Sequence, residues 1–147
     1  MTYAKLTASI LLPFLSLIFV SGDFEASADD NTLVIIANKS IKANSISALE
    51  LKRIFQKDVE RINTVKVIPI HARKNTALRN EFNKKILNVS ISEEETLWKK
   101  KMVKTGKLPP KELSNTVKAV TLVRDSIGYA FKSDIRGIGM VKILLTL

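Results

Sequence analysis

The 147-residue chain contains no cysteine, one histidine, one tryptophan and few glycines. Without thiols it can form neither a disulfide nor a cysteine-ligated metal site, so its hydrophobic core must stabilise the fold. The single histidine, His71, has no second histidine or cysteine to join it at a metal, and we expect it to be packed or at the surface. Acidic residues are also scarce, 14 against 24 basic ones, and the formal net charge of +10 favours anionic partners.

The sequence also lacks the residue combinations on which catalysis usually depends. It contains no recognisable Ser-His-Asp, Cys-His or paired-carboxylate arrangement and no Walker-type phosphate loop. Glu93, Glu94 and Glu95 stand together, but at the start of a predicted helix, where carboxylates interact favourably with the helix dipole. No basic sheet with interleaved aromatics and no recognition helix predicts nucleic-acid binding. We therefore predict a protein that is not an enzyme, holds no metal or cofactor, and binds no nucleic acid.

The first 28 residues follow the plan of a secretory signal peptide. Lys5 places positive charge ahead of an apolar run over residues 6–20, which is shorter than a membrane-spanning helix. We expect cleavage after Ala28, with Gly22 as a second candidate site. The mature chain, residues 29–147, is then a single domain in the periplasm or outside the cell, with no transmembrane segment. An uncleaved membrane anchor is the alternative.

The mature region alternates strand and helix patterns. Strands are predicted over residues 32–37, 65–70, 125–131 and 141–145, and helices over residues 48–56, 76–86, 92–105 and 115–124. This order predicts an α/β three-layer sandwich, with a mainly parallel or mixed sheet of four to five strands. The apolar, β-branched run over residues 32–37 predicts a strand buried on both faces.

Several local signals fix where the predicted helices begin and end. Ser47 with Glu50 and Ser92 with Glu95 both match the capping box, in which a hydroxyl and a carboxylate satisfy backbone N–H groups at a helix start. Gly106 is a good terminator for the third helix. Ser114 is the predicted cap of the last helix, preceded by a short helical turn over residues 110–113.

Two features of the third helix have two interpretations each. Trp98 lies at helical spacing from Met102, which is more typical of a core position than of an exposed partner interface. The basic run over residues 99–101 is typical of a solvated face, and contact with anionic lipid head groups or polysaccharide is the alternative.

The junction between the second strand and the second helix, residues 70–82, is the strongest candidate for a binding site. The first turn of a helix leaves N–H groups without intrahelical partners and carries partial positive charge, which suits phosphate or carboxylate. The candidate ligand-binding residues are Arg73, Asn75, Thr76 and Ala77. In the alternative interpretation Thr76 only caps the helix and the basic residues are solvated surface.

The same helix has a recognisable apolar face. Leu78, Phe82 and Ile86 recur at helical spacing and predict the side that packs on the sheet. Arg79 and Asn83 are then expected on the other faces of the helix. At that position Arg79 would add only long-range positive charge to the junction.

With these strings in view, the mature chain resembles the phosphate ABC transporter substrate-binding proteins, of the type II periplasmic binding protein class. The resemblance is carried by residues 49–55, 67–82, 105–110 and 125–129. It implies the fold of one lobe of such a protein, because the chain is too short for two. It also implies phosphate ligands at the strand-to-helix junction, ordinarily an Arg followed by Gly-Ser-Gly-Thr.

Aligned on this pattern, Thr76 takes the position of the capping Ser and Asn75 that of the preceding Gly. Arg73 lies near the position of the ligand Arg, and both glycines are missing. The leading hypothesis is an exported solute-binding-like protein that binds phosphate or a related oxyanion here. An ABC transporter or an envelope protein is the expected kind of partner, and a homodimer is another way to enclose the site. The competing hypothesis is a non-catalytic envelope interaction module that kept the fold and lost the ligand.

Overall fold

The structure is a computed structural model that describes residues 30–147, so the predicted signal peptide and its cleavage sites lie outside the described residues. The elements, in chain order, are β1 (Leu33–Asn38), α1 (Ala48–Phe55), β2 (Arg61–Ile62), β3 (Val65–Lys66), β4 (Ile68–Ala72), α2 (Ala77–Phe82), α3 (Ile91–Thr105), β5 (Lys111–Leu113), α4 (Thr116–Leu122), β6 (Ser126–Phe131) and β7 (Val141–Thr146). A π-helical turn (Asn83–Leu87) continues α2, and a 3-10 turn (Lys132–Ile135) follows β6.

Five strands form one mixed sheet in the order β5-β4-β6-β1-β7, while β2 and β3 pair separately. β4 runs parallel to β5 and β6, whereas β1 runs antiparallel to both of its neighbours, β6 and β7. The predicted α/β architecture with four to five strands is confirmed. The sheet is mixed because β1 is antiparallel to both neighbours. A crossover helix joins parallel neighbours, and β1 is not connected to either neighbour by such a single crossover.

Helices cover both faces of the sheet and make three layers. On one face Phe55 of α1 and Phe82 of α2 pack against Tyr129 of β6, with the Phe82 and Tyr129 rings stacked at 3.9 Å between centroids. On the other face Val117 and Val120 of α4 pack over the sheet. β1 between them is buried on both sides, as its continuous apolar run predicts.

α4 approaches β6 closely at Gly128. A Cβ atom at this position would lie 2.9 Å from Cγ2 of Val120 and 3.5 Å from the Ile70 carbonyl oxygen. Only a residue without a side chain leaves room for the helix there.

Two predicted helix ends are confirmed, and the predicted capping box of α3 is wrong. Ser47 caps α1, and Gly106, at φ +70°, ends α3. The capping box of α3 is Ser90 with Glu93 rather than Ser92 with Glu95. Both pairs fit the sequence pattern, and the earlier one is used because the left-handed Asn88 ends the preceding turn just before it.

The segment before α4 also differs from prediction. Residues 111–113 form strand β5 beside β4 instead of a helical turn. Two prolines precede the strand, and an X-Pro step favours extended backbone. Asn115 rather than Ser114 caps α4, accepting a hydrogen bond from the Lys118 N–H at 2.8 Å. Within residues 30–147 no helix combines the length and hydrophobicity needed to cross a membrane.

Candidate functional site

The sheet topology opens a crevice at the carboxyl ends of β4 and β5. The chain leaving β4 enters α2 on one face of the sheet, and the chain leaving β5 enters α4 on the opposite face. Neighbouring parallel strands whose connections diverge in this way leave a gap between them, where α/β proteins commonly bind ligands. The segment after β4, which contains the predicted binding residues, lies at this gap.

The β4–α2 junction is an exposed loop with a defined backbone. Asn75 has φ +61°, in the left-handed region. The Thr76 hydroxyl donates to the Arg73 carbonyl oxygen at 2.8 Å and accepts from the Arg79 N–H at 3.2 Å, so it caps α2. The side chains of Arg73, Asn75, Thr76 and Ala77 all lie at the surface.

Asn75 occupies the position at which the family pattern has a glycine, and its backbone conformation explains why an asparagine fits there. Left-handed backbone favours Gly, and Asn is among the side chains that tolerate it best. Asn75 therefore keeps the turn that a glycine would make, although its side chain takes up space next to the loop. The loss of glycine at this position changes the room for a ligand more than it changes the path of the chain.

The two cations of the junction differ in their surroundings. Lys74 Nζ lies 2.9 Å from a Glu95 oxygen and 3.8 Å from a Glu112 oxygen, and the hydrogen bond to Glu95 raises the pKa of Lys74. Arg73 is exposed and contacts no carboxylate of residues 30–147. Arg73 is thus the junction cation whose charge remains available to an anion.

The crevice next to the junction has a volume of about 610 Å³. Leu78 lines it from α2, and Asn115 and Lys118 line it from α4, while Arg73, Asn75, Thr76 and Ala77 are not among its walls. The residues of α4 that line the crevice were not predicted from the sequence. Asn115 caps α4, which follows β5, and β5 runs parallel to β4. Predicting β5 from the sequence would therefore have placed the start of α4 at the same edge of the sheet as the start of α2.

A buried ionic network lies beneath the junction and contradicts the prediction that Arg79 and Asn83 lie on the outer faces of α2. Arg79, expected on an outer face of α2, is only 2% exposed. Its Nη2 donates to Glu94 at 3.0 Å, its Nε donates to Asn83 at 3.0 Å, and its Nη1 donates to the Ala72 carbonyl oxygen at 2.7 Å. Glu94 lies in the first turn of α3, as predicted, and is also buried.

Helical spacing explains why Arg79 is inside. Arg79, Phe82, Asn83 and Ile86 recur at the three- and four-residue steps that define one helix face, and all four are buried. Leu78 lies at the edge of that face and is half-buried. The signal was present in the sequence, but a charged residue on an apolar face is normally assigned to solvent.

His71 joins the network from β4 and is packed, as predicted. Its Nδ1 lies 2.9 Å from the Tyr129 hydroxyl, which accepts the Ala72 N–H at 3.0 Å. The hydroxyl proton is therefore free for Nδ1, and this pattern assigns the imidazole proton to Nε2, which faces Glu94 at 3.3 Å without an aligned hydrogen bond.

Burial and charge set the protonation of these groups. Burial lowers the pKa of His71 from 6.5 to about 4, so it is neutral at pH 7. Burial alone would raise the pKa of Glu94, but the nearby imidazole of His71, the hydrogen bond from Asn83 and the charge of Arg79 hold it down at about 2. Burial also raises the pKa of Tyr129 well above its usual range.

The network has a structural role. His71 and Arg79 are almost fully buried, and Arg79 and Glu94 lie at the base of a cavity of about 340 Å³ that Lys74 and Trp98 also line. Arg79 binds the last carbonyl of β4 and the carboxylate of α3, and thereby fixes the strand end from which Arg73 starts. Within the described part of the chain, no three His, Cys, Asp or Glu side chains are grouped so that they could hold a metal ion.

Solved structures that share this fold include proteins described as phosphate transport proteins. An ABC-type phosphate transport receptor from Vibrio cholerae superposes with a TM-score of 0.58 at 10% identity, over 77% of this chain and 45% of that one. A structure from Clostridium perfringens described as a phosphate ABC transporter substrate-binding protein, with bound phosphate, gives 0.57 at 14% identity, over 77% and 44%. PstS from Borrelia burgdorferi gives 0.56 at 17% identity, over 77% and 46%.

These likenesses confirm the fold that the sequence resemblance implies. The chain spans less than half the length of each of these proteins. No protein-family model matches the sequence, and no curated protein matches it.

Proposed function

We propose that the protein is an exported, non-catalytic binding protein that holds phosphate or a related oxyanion reversibly at the β4–α2 junction. The observation that carries this proposal is the exposed Arg73, which pairs with no carboxylate of residues 30–147, beside a capped left-handed turn at the start of α2. The shared fold with phosphate transport proteins supports it.

The donors to the anion are backbone N–H groups and a guanidinium. The first N–H groups of α2, at Ala77 and Leu78, have no partner within the helix, and the helix end carries partial positive charge. Arg73 can bind two oxygens at once through its planar fork. The Thr76 hydroxyl already donates its proton to the Arg73 carbonyl oxygen, so Thr76 positions the loop and is not itself a donor to the ligand.

We expect this binding to be weak in the isolated chain. The junction is open to solvent, where water and salt compete with every contact. Full enclosure needs a second body facing the carboxyl ends of β4 and β5. A second copy of the chain, an envelope protein or an ABC transporter subunit fits that role.

Calorimetric titration with phosphate and sulfate at low salt tests the proposal. We expect measurable heat for the native chain and about tenfold weaker binding for Arg73→Gln, because a charge-assisted fork is lost. Arg53→Gln, which removes an exposed arginine from α1, is the matched control and leaves binding unchanged.

Asn75→Gly keeps the turn, removes a side chain and strengthens binding. Absence of heat with both anions, or equal affinity for Arg73→Gln, refutes the proposal.

A second candidate function is supported by the surface of α3. Leu97, Met102, Val103 and Leu108 are exposed on α3 and the loop after it. These exposed apolar side chains favour an envelope interaction module. A stoichiometric envelope partner, together with a melting temperature that excess phosphate does not raise, would favour this function over oxyanion binding.

A further inference from the structure

α3 is attached to the rest of the protein at two polar points along its inner side. Near its start, Glu94 accepts hydrogen bonds from Arg79 and Asn83. Two turns later, Lys101 Nζ contacts the Gln56 carbonyl oxygen and the Asp58 carboxylate, at the end of α1. The helix is therefore held at both points by ionic contacts, with Trp98 between them.

The space between these two attachments is an apolar groove of about 430 Å³, which we call the α3 groove. Leu87 and Val89 line it from the segment after α2, and Leu97 and Trp98 line it from α3. Trp98 is 9% exposed and Leu97 is 48% exposed, so the groove has a covered floor and an open side. Its size falls within the range of small-molecule sites.

The charges around the α3 groove are mainly positive. The two carboxylates that line it, Glu94 and Asp58, are already paired with Arg79 and Lys101. Lys100 and Lys104 also line it, are exposed, and contact no carboxylate among residues 30–147. An apolar floor beside uncompensated ammonium groups matches a ligand with an aliphatic body and an anionic head.

We propose that the α3 groove binds a small amphipathic anion, namely an aliphatic carboxylate of the medium-chain fatty acid class. The chain lies against Leu87, Val89 and Trp98, and the carboxylate faces Lys100 and Lys104. This site is separate from the β4–α2 junction and does not depend on oxyanion binding there.

Trp98 reports occupancy directly because it is the only tryptophan in the chain. We expect decanoate, titrated below its micelle-forming concentration into the full chain, to change Trp98 fluorescence saturably. Two control ligands separate the contributions of the ligand's parts. Acetate has the carboxylate without the aliphatic chain, and decanol has the chain without the carboxylate. Acetate should leave the fluorescence unchanged, and decanol should bind about tenfold more weakly than decanoate.

Charge-reversal variants separate the groove from general basicity. Lys100→Glu with Lys104→Glu should weaken decanoate binding about tenfold or more, since the two lining ammonium groups that have no carboxylate partner among residues 30–147 become carboxylates. Lys39→Glu with Lys42→Glu makes the same change of net charge at exposed positions away from the α3 groove, and should leave the affinity unchanged. All four positions are exposed, so both variants are expected to fold.

Val89→Phe fills the groove and tests whether the ligand lies inside it. Decanoate binding should be lost while the melting temperature stays near that of the native chain. Binding that survives Val89→Phe, or an equal affinity for the Lys100/Lys104 and Lys39/Lys42 variants, overturns the proposal. A decanoate titration without a saturable fluorescence change overturns it as well. Retained phosphate heat in the Lys100/Lys104 variant would show that the two sites are distinct.

Discussion

At the scale of single residues, the burial of Arg79 and Glu94 carries an electrostatic cost. Both are buried, and moving two charges out of water is unfavourable unless they meet with good geometry and further hydrogen bonds. Here Asn83 and the Ala72 carbonyl satisfy the remaining donors and acceptors. The arrangement leaves little tolerance for removing either charge.

Glu94→Gln should lower the free energy of unfolding by about 3 kcal/mol, because Arg79 remains buried without a full counter-charge. Glu112, 3.5 Å from Arg79 and partly exposed, compensates only in part. Urea unfolding followed by Trp98 fluorescence measures the change. Glu95→Gln, one position along at the surface, is the control and should leave the midpoint almost unmoved. Equal midpoints for the two variants would contradict this account of the network.

Stability should also depend on pH through His71. The unfolded histidine takes up a proton near pH 6.5, whereas the folded one does so only near pH 4. Between these values the unfolded state binds more protons, so the free energy of unfolding falls as pH is lowered from 6.5 to 4, by up to about 3 kcal/mol. Glu94, depressed from 4.5 to about 2, adds a further loss below pH 4.5.

Chemical unfolding at a series of pH values measures this slope. His71 is the only histidine, so the slope between pH 5 and 6.5 belongs largely to one side chain. His71→Gln should flatten it. A slope that persists in His71→Gln would assign the effect to another group.

At the scale of elements, the contact between α4 and β6 depends on one missing side chain. Gly128→Ala should destabilise the protein by about 2 kcal/mol, because its methyl group meets the stiff, β-branched Val120 at 2.9 Å. Val120→Ala removes the obstructing methyl groups, so Gly128→Ala should cost less in that background. Thermal or urea unfolding of the four chains of this double-mutant cycle measures the coupling. If the free-energy changes of the two substitutions were simply additive, the methyl group added at position 128 would not be in conflict with Val120.

The elements also show which features a sequence predicts well. The Ser47 cap, the Gly106 terminator and the buried β1 run follow from residues within a few positions of one another. The pair of Arg79 and Glu94 spans 15 residues and two helices, so no local pattern selects it. Where two local patterns compete, as at Ser90 and Ser92, the preceding turn decides, and the sequence pattern does not rank them.

One side of the candidate site could be predicted from local sequence signals, and the other side could not. The β4–α2 side could be predicted because a helix start after a strand is a local signal. The α4 side, with Asn115 and Lys118, depends on β5 pairing with β4, and a three-residue edge strand leaves almost no periodicity to read. The α3 groove arises from three separate segments and has no sequence signature.

At the scale of the whole molecule, the formal charge of +10 sets the response to salt. Self-repulsion among basic residues destabilises the compact state, and screening relieves it. We therefore expect the melting temperature to rise as sodium chloride increases from low to physiological concentration. Lys39→Gln with Lys42→Gln should reduce this rise, as two exposed positive charges are removed. A melting temperature that falls with salt would mean that surface ion pairs outweigh the repulsion.

The place of β1 in the sheet also determines when folding can be completed. β1 lies near the beginning of the described chain, but both strands that pair with it, β6 and β7, lie near its end. Until they are synthesised, an apolar and β-branched segment has no native partner and can pair with other unfolded chains. We therefore expect β1 to take its place in the sheet only after β6 and β7 have been synthesised.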